Sequence, residues 1–154
     1  NVKLHKILYF ADMLFFVEEG RPITGVEYQK QKVGPTARHL ASGLFSLQVD
    51  GLVQVEERPY HGFYKKAYLS KRPYEPSRLS SAEVALLRDV ADFVRGKSAR
   101  EISELSHNAA WEAAELGEVI PYFSALRLLP DEVTDEDRAW ALDSARRYAS
   151  EAPV

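Results

Sequence analysis

The sequence predicts an α+β fold, in which a mainly helical domain surrounds a small antiparallel β-sheet with a β-hairpin. Apolar residues recur over residues 2–19 at the three- and four-residue spacing of an amphipathic helix. Two Ser-x-x-Glu capping boxes, at residues 80–83 and 98–101, each open a further run with helical spacing. Residues 52–69 hold two strand-like runs separated by a short loop, which predicts the hairpin.

Glycine and proline set the boundaries of the first elements. The first helix is predicted to end at Gly20, and residues 26–33 are predicted to hold a short strand. Because proline favours the first turn of a helix, Gly34 and Pro35 predict that the next helix spans residues 36–49.

Turn and capping residues predict the remaining elements. Residues 58–62 form the loop between hairpin strands at residues 52–56 and 63–69. The helix that follows the first capping box ends at Gly96, and Thr134 caps a last helix.

The length of 154 residues suits one domain with a core of its own. We expect residues 1–129 to form this domain and residues 130–154 to form a C-terminal helix that packs on it.

Composition excludes several classes of protein. The chain is 45% hydrophobic and 28% charged, close to the average for globular proteins, so it is expected to fold. It has no cysteine, which excludes disulfides, thiol catalysis and cysteine-ligated metals. No apolar run is long enough to cross a bilayer. We therefore expect a cytoplasmic protein with no membrane partner.

The charge is distributed unevenly along the chain, although the net formal charge is only −3. Lysine and arginine dominate residues 29–78, whereas aspartate and glutamate dominate residues 79–154. This asymmetry is typical either of partner binding or of two ordinary solvated faces.

The chain lacks the motifs of catalytic, metal-binding and nucleotide-binding sites. Among His5, His39, His61 and His107 no pair has the helical spacing of a metal site. Ser106 precedes His107, but a nucleophile needs its base and a third orienting group in hydrogen-bond geometry. No glycine-rich phosphate loop is present. We predict a protein that is not an enzyme, with no cofactor, metal or small-molecule substrate.

DNA binding is the alternative function. Helix, strand, helix and hairpin follow one another in an order like that of a winged helix, with residues 36–49 in the place of the recognition helix. In this interpretation Arg38, Arg58, Lys65 and Lys66 contact DNA. The small or apolar character of most residues in that helix argues against base recognition.

Six short blocks occur in order along the chain. They are K-L-H-K-I-L-Y-F-A-D at 3–12, G-R-P-I-T-G at 20–25, Tyr28 with V-G-P at 33–35, L-S at 79–80, L-S-H at 105–107 with A-W at 110–111, and G-E-V-I-P at 117–121. The ordered set resembles the Panacea, or SocA-like, antitoxin domain family. The resemblance implies a bacterial or phage-associated protein that neutralises a cognate toxin by direct protein–protein contact.

The loop blocks predict where such a partner binds. Tyr28, Gly34, Pro35, Arg38 and His39 are the candidate partner-binding residues. Tyrosine and arginine are enriched at binding hot spots, and loops often carry binding residues. The hypothesis requires Tyr28 and Arg38 to be exposed and close together.

Aromatic residues of the blocks are also predicted to build the core. Tyr9 and Phe10 are expected to pack between the first helix and the sheet. Trp111 is expected to be a core anchor whose indole N–H donates to a carbonyl group.

Overall fold

The computed structural model describes residues 2–60, 62–73, 75–129, 134–140 and 142–143. Its helices are α1 (Val2–Glu19), α2 (Leu40–Val49), α3 (Ser81–Arg95), α4 (Ala99–Leu105) and α5 (Ala109–Glu112). Its strands are β1 (Tyr28–Gln29), β2 (Thr36–Ala37), β3 (Val53–Tyr60), β4 (Phe63–Ser70) and β5 (Val119–Ile120). Two 3₁₀ segments span Pro76–Arg78 and Tyr122–Leu128. The predicted α+β, mainly helical fold class is confirmed.

Helix α1 is the centre of the domain. It packs against α3, α4, β2 and the 3₁₀ helix Tyr122–Leu128. One apolar cluster includes Tyr9 and Met13 of α1, and a second includes Ala11, so buried residues occur on more than one side of the helix. Tyr9 is fully buried and Phe10 is partly buried against both clusters, which confirms their predicted role in the core.

The strands form two separate antiparallel sheets, whereas one sheet was predicted. In the first sheet β1 lies between β2 and β5, and Tyr28 pairs with Ala37 on one side and Ile120 on the other. The hairpin of β3 and β4 is a two-stranded sheet of its own. Its strands extend to the pair of Tyr60 and Phe63, so Arg58 lies within β3 and not in the loop.

The predicted start of the second helix is wrong. Helix α2 begins at Leu40 and not at residue 36, because Thr36 and Ala37 pair with β1. Pro35 therefore precedes a strand instead of a helix. His39 then turns the chain into α2 with a φ of 60°, in the left-handed region.

The predicted capping residues are confirmed where the structure describes them. The side chains of Ser80 and Ser98 each accept a hydrogen bond from the backbone N–H of the glutamate three residues later. The carboxylate of that glutamate in turn accepts from the backbone N–H of the serine. Thr134 caps the helical residues 135–140 through Asp137. The rest of the predicted C-terminal helix, apart from residues 142–143, lies outside the described residues.

Candidate partner-binding site

Two adjacent residues of α1 hold the loop that leads to α2. Nζ of Lys6 donates to the carbonyl of Pro35 at 2.9 Å, and Nδ1 of His5 accepts from the N–H of Ala37 at 3.0 Å. Lys6 is only 1% exposed, and this burial lowers the pKa of its ammonium to about 8. Burial also lowers the pKa of His5, which favours the neutral imidazole that can accept a hydrogen bond.

Gly34 occupies a place that no other residue fits. Its φ is 91°, and a Cβ atom there would lie 2.6 Å from Nζ of Lys6 and closer still to Oγ of Ser106. The Ser106 hydroxyl donates to the carbonyl of Ser103 at 2.6 Å, and Ser106 is fully buried. Blocks that are far apart in the sequence therefore meet at Gly34, and Ser106 has a structural role there.

A buried carboxylate organises the other side of α1. Oδ1 of Asp12 accepts from the backbone N–H of Thr24 at 2.7 Å, and Oδ2 accepts from the hydroxyls of Thr24, Tyr28 (2.7 Å) and Tyr122 (3.2 Å). Burial and the nearby carboxylate raise the pKa of Tyr28, so its hydroxyl stays protonated and donates. This network places Tyr28 in the core.

The prediction for Trp111 is only partly correct. Its ring is partly buried, stacks on His107 at 4.3 Å between centroids and lies under Nζ of Lys30. However, Nε1 of Trp111 has no hydrogen-bond partner within the described residues, so the predicted bond to a carbonyl is wrong. The cation–π contact with Lys30 and the stacked imidazole hold the indole instead.

The five candidate residues separate into two groups. Tyr28, Gly34 and Pro35 are buried, so their predicted exposure is wrong: their side chains and backbone are used to hold the loop on α1. Arg38 and His39 are exposed and lie directly before α2. The three buried residues position the segment that carries the two exposed ones. A partner-binding role for Arg38 and His39 stays a prediction.

The loop leads to a helix with an unusual surface. Helix α2 contains no Asp, Glu, Lys or Arg, and none of its residues is buried. Phe45 is 67% exposed and Val49 is 70% exposed, and their i, i+4 spacing places them on one face. These two exposed residues were not among the predicted site residues, although residues 40–49 lack charge, which is a signal visible in the sequence.

The hairpin lies beside this helix, because α2 packs against β3. None of its described residues is buried, and near the turn Phe63 is 75% exposed and Tyr64 is 76% exposed. We use the name α2–hairpin surface for the exposed residues of these two neighbouring elements and of the loop before α2, which are Arg38, His39, Phe45, Val49, Phe63 and Tyr64. Of these, Phe63 and Tyr64 lie on opposite faces of β4.

The residues proposed for DNA contact do not form one basic face. Lys65 pairs with Arg58 across the hairpin, whereas Lys66 lies on the opposite face of β4. Arg58 forms an ion pair with Glu56 at 2.9 Å, and Arg38 forms one with a glutamate that precedes β1. Because α2 itself carries no cationic residue, DNA binding stays a prediction without support from the helix surface.

Two other features are absent from the described part of the chain. No group of three or more His, Asp or Glu residues there is arranged to hold a metal ion. Within the same residues, no helix has the length and apolar character needed to cross a membrane.

Comparison with known families decides the classification. The family model of the antitoxin SocA-like, Panacea domain matches residues 4–112. The chain belongs to this family. The matched range of the Panacea domain extends from α1 through α5 and includes α2 and the hairpin, whereas the block at residues 117–121 lies beyond it. No curated protein and no solved structure matches the chain significantly. The membership supports an antitoxin-type role and confirms the resemblance of the blocks.

Proposed function

We propose that this Panacea-domain protein is an antitoxin that neutralises a toxin protein by binding it directly through the α2–hairpin surface. The family supports an antitoxin-type role. In our proposal neutralisation occurs by occupation of the toxin surface, without a cofactor and without turnover, in the cytoplasm where the toxin acts.

One observation carries the proposal. A helix without charged residues, in which most side chains are apolar or small, normally lies inside a protein, yet α2 has no buried residue. Covering such a face removes apolar area from water, and each large side chain buried there contributes about 1.5–3 kcal/mol. Phe45 and Val49 on one face of the helix therefore suit a protein partner better than solvent or the phosphate backbone of a nucleic acid.

The charge around the helix suggests the character of the partner. Lysine and arginine outnumber aspartate and glutamate in residues 29–78, and Arg38 lies at the start of the α2–hairpin surface. Opposite charge at the rim of an interface increases the association rate and the specificity more than the affinity. We therefore expect the toxin to present an apolar depression with acidic residues around it.

Co-expression tests the proposal. The protein encoded beside this chain is expressed alone and together with the wild-type chain, and growth and co-purification are measured. We expect lethality alone, and rescue with a stable complex when the chain is present. A harmless neighbour, or one that stays lethal without forming a complex, would contradict the antitoxin role.

A matched pair of variants then locates the surface. Val49 on α2 is 70% exposed, and Val33 in the loop before Gly34 is 58% exposed, so replacing either with Asp should leave the fold intact. We expect Val49→Asp to abolish rescue and Val33→Asp to retain it. Equal rescue by both variants would show that α2 is not the contact.

A further inference from the structure

We propose that β4 binds the toxin by strand addition, with an acidic strand of the toxin pairing along the outer edge of β4. This inference rests on the proposed function and adds the mode of recognition. Addition of a strand to an open sheet edge is a recurrent mode of protein recognition, in which backbone hydrogen bonds supply affinity and alternate side chains supply specificity.

The hydrogen bonds of the hairpin show which backbone groups point outward. The N–H of Lys71 donates to the carbonyl of Leu52 at 2.8 Å, so this is a hydrogen-bonded pair. In an antiparallel ladder, hydrogen-bonded and non-hydrogen-bonded pairs alternate. In the register of the hairpin, Tyr64, Lys66 and Tyr68 belong to non-hydrogen-bonded pairs, so their N–H and C=O groups face away from β3.

The two edges of the hairpin are not equivalent. On β3, Pro59 occupies an outward position and has no N–H, and α2 packs against the same strand. Strand β4 contains neither proline nor glycine over its eight residues, and β3 is the only described strand that pairs with it. The outer edge of β4 therefore offers an uninterrupted row of donors and acceptors.

The side chains of β4 indicate the chemistry of the added strand. Phe63 and Tyr64 are exposed on opposite faces, so each face offers an aromatic ring to the partner. Lys66 is exposed on one face of β4, opposite Glu57 of β3, and Lys65 is exposed on the other face, opposite Arg58. Acidic side chains of a strand added on the side away from β3 would lie beside both lysines, where opposite charge on neighbouring strands is favourable.

The same charges argue against a second copy of this chain as the occupant. Pairing of two β4 edges would bring Lys65 and Lys66 of both copies together, and lysine on an edge strand is a common protection against such self-association. A toxin strand with acidic and apolar residues would form hydrogen bonds with the backbone edge of β4, pack against its aromatic rings and place negative charge beside its lysines.

Amide hydrogen exchange followed by NMR tests the inference residue by residue. The ¹⁵N-labelled chain is measured free and in complex with the protein encoded beside it. We expect the amides of Phe63, Lys65 and Ala67 to be protected in both states, since they face β3. The amides of Lys66 and Tyr68 should exchange rapidly in the free chain and become protected in the complex.

The outcomes separate this inference from the proposed function. A complex that is lost with Val49→Asp but leaves Lys66 and Tyr68 unprotected would retain the antitoxin role and overturn strand addition. If the wild-type chain forms no complex, the proposed function fails and strand addition fails with it.

Proline substitution gives a second, independent measurement. Lys66→Pro removes an outward N–H and leaves the bonds between β3 and β4 in place, and Lys66→Ala is the matched control that loses the same charge but keeps the N–H. We expect the proline variant to bind about tenfold more weakly than the alanine variant, the effect of one intermolecular hydrogen bond. Equal affinities of two variants with native circular dichroism would contradict strand addition.

Discussion

Nζ of Lys6 donates a 2.9 Å hydrogen bond to the carbonyl of Pro35, so a fully buried ammonium group joins α1 to the loop that leads to α2. Burial of the charged form is unfavourable, and this is the reason that the pKa of Lys6 falls to about 8. The bond therefore fixes the position of the loop at the cost of some stability. The cost of burying the ammonium can be measured from the free energy of unfolding as a function of pH.

Lys6 should make the stability of the domain increase at alkaline pH. Its pKa is about 8 in the folded chain and 10.5 in the unfolded one, so the unfolded state binds the proton more tightly between these values. We expect the free energy of unfolding of the wild type, relative to Lys6→Met, to rise by about 3 kcal/mol from pH 8 to pH 10.5. Denaturant unfolding of both proteins measures this difference, and tyrosine ionisation affects them equally. A constant difference across this range would show that the ammonium is not destabilised by burial.

His5 should make the domain less stable in acid. Because its pKa is lowered in the folded chain, the unfolded state takes up the proton first, and stability is lost as the pH falls below the unfolded value of about 6.5. Protonated Nδ1 can no longer accept from the N–H of Ala37. We expect urea unfolding to show a loss for the wild type between pH 6.5 and pH 5 that is smaller in His5→Gln. Parallel pH profiles of the two proteins would argue that His5 does not hold the loop.

Gly34→Ala should destabilise the domain far more than Gly25→Ala. Both glycines have positive φ, but a Cβ at Gly25 meets nothing within 4 Å, whereas at Gly34 it meets Lys6 and Ser106. The Gly25 variant measures the cost of backbone conformation, about 1–2 kcal/mol. The Gly34 variant adds the cost of overpacking, about 1–3 kcal/mol more. Thermal unfolding of the two variants measures both costs. Equal losses would mean that the packing around Gly34 yields easily.

Replacing His39 with glycine should give a more stable protein than replacing it with alanine. Its φ of 60° is unfavourable for a residue with a Cβ, and no side-chain hydrogen bond caps α2. We expect His39→Gly to be about 1 kcal/mol more stable than His39→Ala in denaturant unfolding. If the imidazole contacts the toxin, both variants should lose affinity equally. A glycine variant less stable than the alanine variant would contradict the strained conformation at His39.

Local features of the sequence predicted the elements whose determinants lie close together. The bounds of α1 and the two capping boxes depend on residues within a few positions of each other, and they are confirmed. The two-residue strands were not predictable in this way, because Tyr28 pairs with Ile120 across 92 positions of the chain. The left-handed conformation of His39 occurs between the end of β2 and the start of α2, a junction that the sequence did not predict.

The candidate site was predicted in part for a related physical reason. Arg38 and His39 are exposed, as predicted. Tyr28 is buried, because its hydroxyl has a hydrogen-bond partner inside the domain. Asp12, sixteen residues earlier, supplies that partner. Helix α2 shows the converse, because most of its residues are small or apolar, yet the fold leaves Phe45 and Val49 uncovered.

The dissociation constant of the complex with the neighbouring protein tests the central claim most directly. Phe45 on α2 and Phe123 in the 3₁₀ helix Tyr122–Leu128 are both 67% exposed, so Phe45→Asp and Phe123→Asp impose the same change at equal exposure. We predict that Phe45→Asp weakens binding about a hundredfold or more, as expected for a central aromatic hot spot, and that Phe123→Asp binds like the wild type. Wild-type affinity for Phe45→Asp would contradict recognition of the toxin through α2.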